Sequence, residues 1–506
     1  VLTRLKVSGF KNLVDADVYF GPFTCIAGPN GVGKSNLFDA IRFLSALADR
    51  TFLDAAKSVR DESGRTGDIR ALFHRVGDTR GDRMRFEAEM IIPRHGTDDL
   101  GQPAEASATF LRYAVELGYR YDESGVASES LELLDELLTF IPQSQWDQQL
   151  RFPCGDDWRN TALLKSDRRA SYISTKLVGA ERMVTLHRAD GKATGKTTKR
   201  PARQLPRTVL SATNAFESPT AVLARREMQS WRLLQLEPSA LRKPDEFSAP
   251  PRLGADGSHL PATLYRLARD AEKRGDGPTR VYEQVAGRVR ELIRDVREVA
   301  VDRDEKRELL TLFATDRYTT PFPARALSDG TLRFLALTVL ELDPEVVGVI
   351  CFEEPENGIH PARIPFMLRL LTDIAVDTDF PVGGDNPLRQ VIVNTHSPLV
   401  VQEIADADLL GADVQEDVRD GVRSRKVVFR CLPNTWRSRL KSPPRPLPLG
   451  DLLAYLTPAP ADDSDEPVRP STAPAANGHT HPPARVTRVR ERPDVRYLFD
   501  KDAPCP

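Results

Sequence analysis

Apolar residues along this chain form three kinds of run. The first is short and unbroken. Phe23-Thr24-Cys25-Ile26-Ala27, the stretch 346–352 and Val391-Ile392-Val393 each read as a strand buried on both faces. The second has helical spacing, with Leu37, Ile41, Leu44 and Leu47 in 36–48, and a similar stretch at 331–342. Leu264, Leu267, Val285, Val289, Leu292 and Val296 predict helix across 258–299, and the same spacing predicts helix at 131–140. The third alternates, at 171–177 and 182–186, and a return strand is expected at 83–92. No helical run reaches the three or four heptads of a coiled coil. A short element is expected at 447–456. Beyond 457 the chain is rich in Pro, Ala and Asp up to 483, and it reads as disordered because it cannot bury enough apolar surface to offset chain entropy.

Each unbroken run ends in chemistry. The first leads into Gly28-Pro29-Asn30-Gly31-Val32-Gly33-Lys34-Ser35, a full G-x-x-x-x-G-K-[ST] between strand and helix. Glycines let the backbone curl so that its N–H groups face phosphates, and the helix N-terminus adds partial positive charge. Gly28, Asn30, Gly31, Gly33, Lys34, Ser35 and Asn36 are therefore the candidate nucleotide-binding residues. Lys34 is expected at the β- and γ-phosphates and Ser35 on Mg²⁺. A second stretch, from Gly191 to Thr197, has three residues between its glycines and no apolar strand before it, and reads as an exposed turn.

The second run ends in Glu353-Glu354, which places one carboxylate near a metal and the next beside an attacking water. Glu353 is the candidate Mg²⁺ ligand and Glu354 the candidate general base. Alone, the pair is equally a solvated strand end. The third run ends in Asn394-Thr395-His396, where a neutral imidazole can hydrogen-bond a γ-phosphate. Leu327-Ser328-Asp329-Gly330 precedes the 331–342 helix. In isolation it is an ordinary helix cap. With a hydroxyl and a glycine N–H at a helix start it is also a second anion site, Ser328 and Gly330. Two cradles for one triphosphate make sense if the second serves the nucleotide of a partner copy, so that a C2 homodimer, or a higher oligomer, encloses the ATP.

Together these motifs resemble the ABC-type ATPases of the RecF/SMC/OLD branch, near the standalone OLD-like bacterial ATPases. Residues 5–12 resemble that branch's first strand and turn. Gly28 to Ser35 matches its Walker A, Leu327 to Gly330 its signature, Glu353-Glu354-Pro355-Glu356-Asn357-Gly358-Ile359-His360-Pro361 its Walker B and D-loop, and His396 its switch histidine. Leu253 to Ser258 resembles a connector of the group. The likeness covers roughly 1–95 and 250–410. It implies an α/β P-loop NTPase of ABC type, with a mixed sheet and flanking helices. An inserted α+β and helical region and a disordered tail complete the chain. Two departures stand out. Most of these proteins carry Asp where this chain has Glu353. No glutamine lies between Ile69 and Ile92 to serve as a Q-loop residue, and His74 is a weak stand-in.

The implied units are 1–95 (first ATPase lobe), 96–304 (inserted region), 305–456 (second lobe and a C-terminal element) and 457–506 (tail). At 506 residues and 40% hydrophobic content the chain supports more than one packed unit. Its five cysteines, at 25, 154, 351, 431 and 505, include no C-x-x-C pair, which fits reduced thiols in the cytoplasm. No apolar run approaches the roughly 18 residues of a membrane span. The net charge of −2 hides a local excess. Between Trp158 and Leu210 there are thirteen Lys and Arg against three Asp and Glu, among them Lys165, Arg168, Arg169, Lys192, Lys196, Lys199, Arg200, Arg203 and Arg207. This is a candidate DNA contact or a solvated surface. Asp406-Ala407-Asp408 has the D-x-D form of a Toprim nuclease, but no strand–Glu–Gly element lies upstream, so no intrinsic nuclease is expected. His479 and His481 are read as incidental. The expected function is ATP hydrolysis in a dimer, in DNA metabolism or phage defence, with a separate effector. The alternative is an ATP-dependent scaffold or sensor that restrains a toxic partner. A transporter subunit does not suit the long insertion.

Overall fold

The computed structural model describes residues 1–59, 68–120, 130–166, 170–188, 197–291, 293, 296–419, 422–440, 443–457, 488–492, 495 and 498. Most of the tail, His479 and His481, all but Thr197 of the stretch expected as an exposed turn, and Arg168, Arg169, Lys192 and Lys196 lie outside these residues.

A seven-stranded sheet carries the motifs. Its order is Arg232–Leu234, Gly348–Glu353, Arg389–Thr395, Phe23–Ala27, Leu409–Arg419, Val422–Cys431 and Arg445–Pro446. The first five strands run parallel, and Val422–Cys431 reverses against Leu409–Arg419. Ile26, Val349, Cys351 and Ile392 face one core, whereas Phe23, Cys25, Ala27, Ile350, Phe352, Val391 and Val393 face another. Side chains alternate along a strand, so an unbroken apolar run is stable only where both faces are covered.

Helix Lys34–Leu47 covers one face and is itself covered by a second sheet, which buries Leu37, Phe38, Ile41, Phe43 and Leu44. Phe43 lies 5.9 Å from Phe10 and 5.5 Å from Phe86, both on that second sheet. The second sheet is antiparallel throughout. Its order is Thr197–Pro201, Glu181–His187, Ile173–Val178, Ser130–Phe140, Phe110–Arg120, Arg83–Ile91, Leu2–Phe10 and Leu13–Tyr19. Helices Asp329–Leu342 and Ile364–Ile374 pack on the other face of the seven-stranded sheet.

Two buried side chains pin the sheets together. The Gln390 amide accepts from the Leu2 N–H at 2.8 Å and donates to the carbonyls of Leu2 (2.8 Å) and Gly21 (2.7 Å). Arg437 donates to the Tyr19 carbonyl (2.9 Å), the Thr24 hydroxyl (3.0 Å) and the Ala407 carbonyl. Burial pushes its guanidinium down to about 10 although Asp408 opposes the shift.

Two expectations are corrected. The stretch 131–140 is not helical but the strand Ser130–Phe140. A bulge between Leu133 and Asp135 shifts the register, so adjacent Leu133 and Leu134 are both buried. That break in alternation imitates helical spacing. It also turns Glu136 inward, where its carboxylate accepts the N–H groups of Val209 (2.7 Å) and Leu210 (2.9 Å). Burial lifts Glu136 to about 7 against those hydrogen bonds. The helix expected across 258–299 is instead two, Leu260–Lys273 and Thr279–Arg290, followed by the strand Val296–Asp304. A register shift between Val296 and Glu298 again places Val296 and Val299 on one buried side, three residues apart.

The segment taken as an insertion is woven into both sheets. Phe110–Arg120 through Thr197–Pro201 extend the antiparallel sheet, and Arg232–Leu234 forms the edge of the parallel one. Asp406–Asp408 is a turn of 3₁₀ helix. Asp406 pairs with Arg492 at 3.2 Å, and burial lifts Asp408 to about 6 despite Arg437.

Candidate nucleotide site

The parallel strands deliver their C-terminal ends to one cleft of about 1440 Å³. Asn30, Gly31, Gly33, Lys34, Ser35, Asn36, Glu353 and Glu354 all line it. That volume exceeds the roughly 300–1,000 Å³ of an enclosed small-molecule pocket, so the cleft is wider than one nucleotide fills.

The phosphate loop owes its shape to glycine at two points. Gly33, with φ +103°, is the residue before helix Lys34–Leu47, and a Cβ there would sit 2.0 Å from the Asn12 amide. A Cβ on Gly28 would sit 2.4 Å from the Ala412 carbonyl. Asn12 clamps the loop, since its Nδ2 donates to the Val32 carbonyl at 3.0 Å and its Oδ1 accepts from Asn36 Nδ2 at 2.8 Å. The Asn36 side chain thus braces the loop through Asn12. Lys34 is 6% exposed, and its Nζ donates to the carbonyls of Gly28 (2.6 Å) and Pro29 (2.9 Å). Burial lowers the Lys34 ammonium pKa, and the charges of Glu354 and Glu356 oppose the shift. The first turn of the helix leaves N–H groups without intrahelical partners, which is the anion cradle.

Glu354 leaves strand geometry with φ +45°. Its N–H donates to both the carbonyl (3.0 Å) and the side chain (3.1 Å) of Asn394. Its carboxylate accepts from Asn357 Nδ2 at 2.8 Å and meets His396 Nδ1 at 2.7 Å. Burial acts to raise its pKa, but Asn357, His396 and Lys34 together hold it below the usual Glu range. Glu356 behind it is buried and bonded by the Thr395 hydroxyl, and burial raises its pKa.

Sequence reasoning missed Gln235. It follows the edge strand Arg232–Leu234, which pairs with Gly348–Glu353, and its Nε2 donates to the Glu353 carboxylate. No glutamine between Ile69 and Ile92 reaches the cleft, and Gln235 is the glutamine that lines it among the described residues. His74 lines the outer cleft and bonds the Lys11 carbonyl at 2.7 Å. Its one sequence signal is the short stretch Trp231-Arg232-Leu233-Leu234 before it, far from residues 69–92.

Ser328 and Gly330 are not among the residues lining this cleft. Ser328 caps helix Asp329–Leu342 by accepting from the Thr331 N–H at 3.3 Å, and Arg242 bonds both Asp329 and the Leu327 carbonyl. Arg333, one turn further along that helix, does reach the cleft. Gly28 and His396 are not among the lining residues either, but each is bonded to one that is, Gly28 to Lys34 and His396 to Glu354.

A family profile described as "AAA domain, putative AbiEii toxin, Type IV TA system" matches residues 23–97 and 193–402. The chain belongs to this family. It is an ABC-type ATPase of the RecF/SMC branch. The matched range starts earlier in the middle of the chain than the resemblance did, and so takes in Gln235. The chain is 27% identical over 236 residues to the DNA replication and repair protein RecF of Clavibacter sepedonicus, covering 44% of this chain and 55% of that one. It is 36% identical over 63 residues to RecF of Phocaeicola vulgatus, 12% of this chain and 17% of that one. With the chromosome partition protein Smc of Bordetella petrii it shares 36% identity over 93 residues, 18% of this chain and 7% of that one. The chain therefore spans about half or less of the length of these relatives. A solved Smc head bound to the C-winged helix domain of ScpA aligns with 85% of this chain and 98% of its own, at TM-score 0.42 and 14% identity.

The donors suit Mg²⁺ and a triphosphate. Ser35 and Glu353 line the cleft with hard oxygen atoms, and Gly33 leaves the room that the Asn12 brace of the loop occupies. No group of three or more His, Cys, Asp or Glu residues that could hold a metal ion occurs among the described residues. No helix of the described residues is long and apolar enough to cross a membrane. The described cysteines, Cys25, Cys154, Cys351 and Cys431, are unpaired.

Proposed function

We propose that the chain binds Mg·ATP in this cleft and hydrolyses it in a complex of two copies. One observation carries the reading. Lys34, Ser35, Glu353 and Glu354 meet in one wide cleft, while the second anion site, Ser328 and Gly330, lies outside it. In the complex, Ser328 and Gly330 of each copy face the triphosphate held by the other. Lys34 turns from its loop carbonyls to the β- and γ-phosphates. Ser35 and Glu353 hold Mg²⁺, which when bound neutralises phosphate charge, and Gln235 fixes the Glu353 carboxylate. Glu354 takes the proton of the attacking water, and His396 both orients Glu354 and meets the γ-phosphate. Binding closes the two copies and hydrolysis releases them.

The alternative is a scaffold or sensor that binds ATP for assembly with little turnover. Phosphate release separates the two. Hydrolysis predicts release that needs Mg²⁺ and disappears in Lys34→Ala. Association driven by ATP with no release above that blank would leave only the scaffold.

The names of the curated relatives and the basic stretch support DNA as a partner. At the sheet edge, Arg182 and Arg200 share one face and Lys176 and Lys199 the other, so a contacting duplex meets one pair rather than all four. Reversing Lys199, Arg200 and Arg203 to Glu is expected to weaken DNA binding at least about tenfold at low salt and to flatten its salt dependence. Anisotropy with labelled duplex measures both, and an unchanged salt slope removes this surface. The family's description supports a role with a separate nuclease or toxin effector, in DNA maintenance or phage defence. Coexpression with the product of the neighbouring gene tests it: toxicity that ignores this chain and its Lys34→Ala variant alike would count against it.

A further inference from the structure

The two ends of the cleft differ in chemistry. Glu353, Glu354 and His396 stand at the ends of the two strands on one side of Phe23–Ala27, and they mark the γ-phosphate end. The nucleoside therefore leaves the phosphate loop on the other side, toward Leu409–Arg419 and Val422–Cys431. Two arginines of the lining, Arg75 and Arg425, belong to that end. Arg425 is part of Val422–Cys431, and Val427 in the same strand donates its N–H to the Asn12 carbonyl at 3.1 Å. Arg75 follows His74, whose N–H donates to the Gly9 carbonyl at 2.9 Å and whose ring meets the Lys11 carbonyl at 2.7 Å. Both arginines are thus anchored to the turn whose Asn12 braces the phosphate loop. The strand Arg75–Val76 also packs beside Val422–Cys431.

A nucleotide base is held best by a flat face. Phe73 and Phe352 carry the only phenyl, phenol or indole rings among the described lining residues, and both are buried. Arg75 offers a flat face instead. Its side chain is 60% exposed, with Nε donating to the Gly77 carbonyl at 2.6 Å and Nη2 to Asp78 at 3.2 Å. A guanidinium donates in its own plane, so these bonds fix its edge and leave its faces for a ring. We propose that Arg75 is the base-binding residue of the cleft: its guanidinium stacks on a purine whose triphosphate sits in the loop. Arg425 adds a second guanidinium at the same end. The fused rings of a purine cover more of such a face than a pyrimidine does, so the cleft selects purine nucleotides. The proposal rests on the nucleotide reading of the same cleft.

Calorimetric titration of the full chain with Mg·ATP and Mg·UTP tests it. Arg75→Ala is expected to bind Mg·ATP about three- to tenfold more weakly than wild type and Mg·UTP under about twofold more weakly. Arg75→Phe restores a flat face without the charge, and is expected to bind Mg·ATP within about twofold of wild type. The thermal midpoint of both nucleotide-free variants is expected to stay level, since the side chain is exposed. Wild-type Mg·ATP affinity in Arg75→Ala overturns the proposal. An equal loss for Mg·ATP and Mg·UTP, which the lost charge alone explains, also overturns it, as does an Arg75→Phe chain as weak as Arg75→Ala. A wild-type chain that binds no Mg·ATP overturns the underlying reading instead, and the proposal with it.

Discussion

Lys34→Ala is expected to raise the Kd for Mg·ATP by about 10²–10⁴-fold, because in the proposed complex the ammonium would make at least two charge-assisted hydrogen bonds to phosphate, each contributing about 1.5–3 kcal/mol. The side chain is positioned to do so at low entropic cost. It is already buried, and its two present acceptors are carbonyls of the loop it must cross. Its burial penalty, visible as a depressed pKa, also means that phosphate charge restores what desolvation removed. Titration calorimetry reads the change directly. The thermal midpoint of the nucleotide-free variant serves as control, since the Gly28 and Pro29 carbonyls lose a donor. A Kd within threefold of wild type would remove the loop from the nucleotide site.

Glu354→Gln is expected to slow turnover by about 10²–10⁴-fold while ATP stays bound. The amide keeps the size of the side chain and can still accept from Asn357 or His396, so the geometry around it survives. What it loses is the ability to take a proton. The same contacts predict the pH behaviour. They hold the Glu354 carboxyl below the ordinary Glu range, so the base stays ionised as pH falls through about 4.5, and its acid limb lies lower still. Single-turnover hydrolysis across pH measures both effects. Equal turnover in the variant would assign the base elsewhere.

Much of this site was legible because each half is an unbroken apolar run that ends in polar residues. Both-face burial writes that pattern, and the strands Phe23–Ala27, Gly348–Glu353 and Arg389–Thr395 obey it. Gln235 escaped because its strand is three residues long, too short for any period, and its partner strand lies more than one hundred residues away. Asn12 escaped because its role, to fill the space a Cβ on Gly33 would need, exists only once the chain is folded. The misread helices share one cause. Bulges at Leu133 and at Val296 break strict alternation, and the broken alternation counts as helical spacing. The weave of 96–304 into both sheets was hidden for a simpler reason, since pairing between distant strands leaves no local trace.

In the proposed complex the triphosphate bound by one copy is completed by Ser328 and Gly330 of another. The mass of the Glu354→Gln chain by light scattering, at saturating Mg·ATP, tests it most directly when Ser328→Arg is added in the same chain. One chain is 56.4 kDa. About twice that mass is expected with ATP for Glu354→Gln, and the single-chain mass for the double variant although it still binds ATP. A single-chain mass for both, or a doubled mass for both, would contradict it.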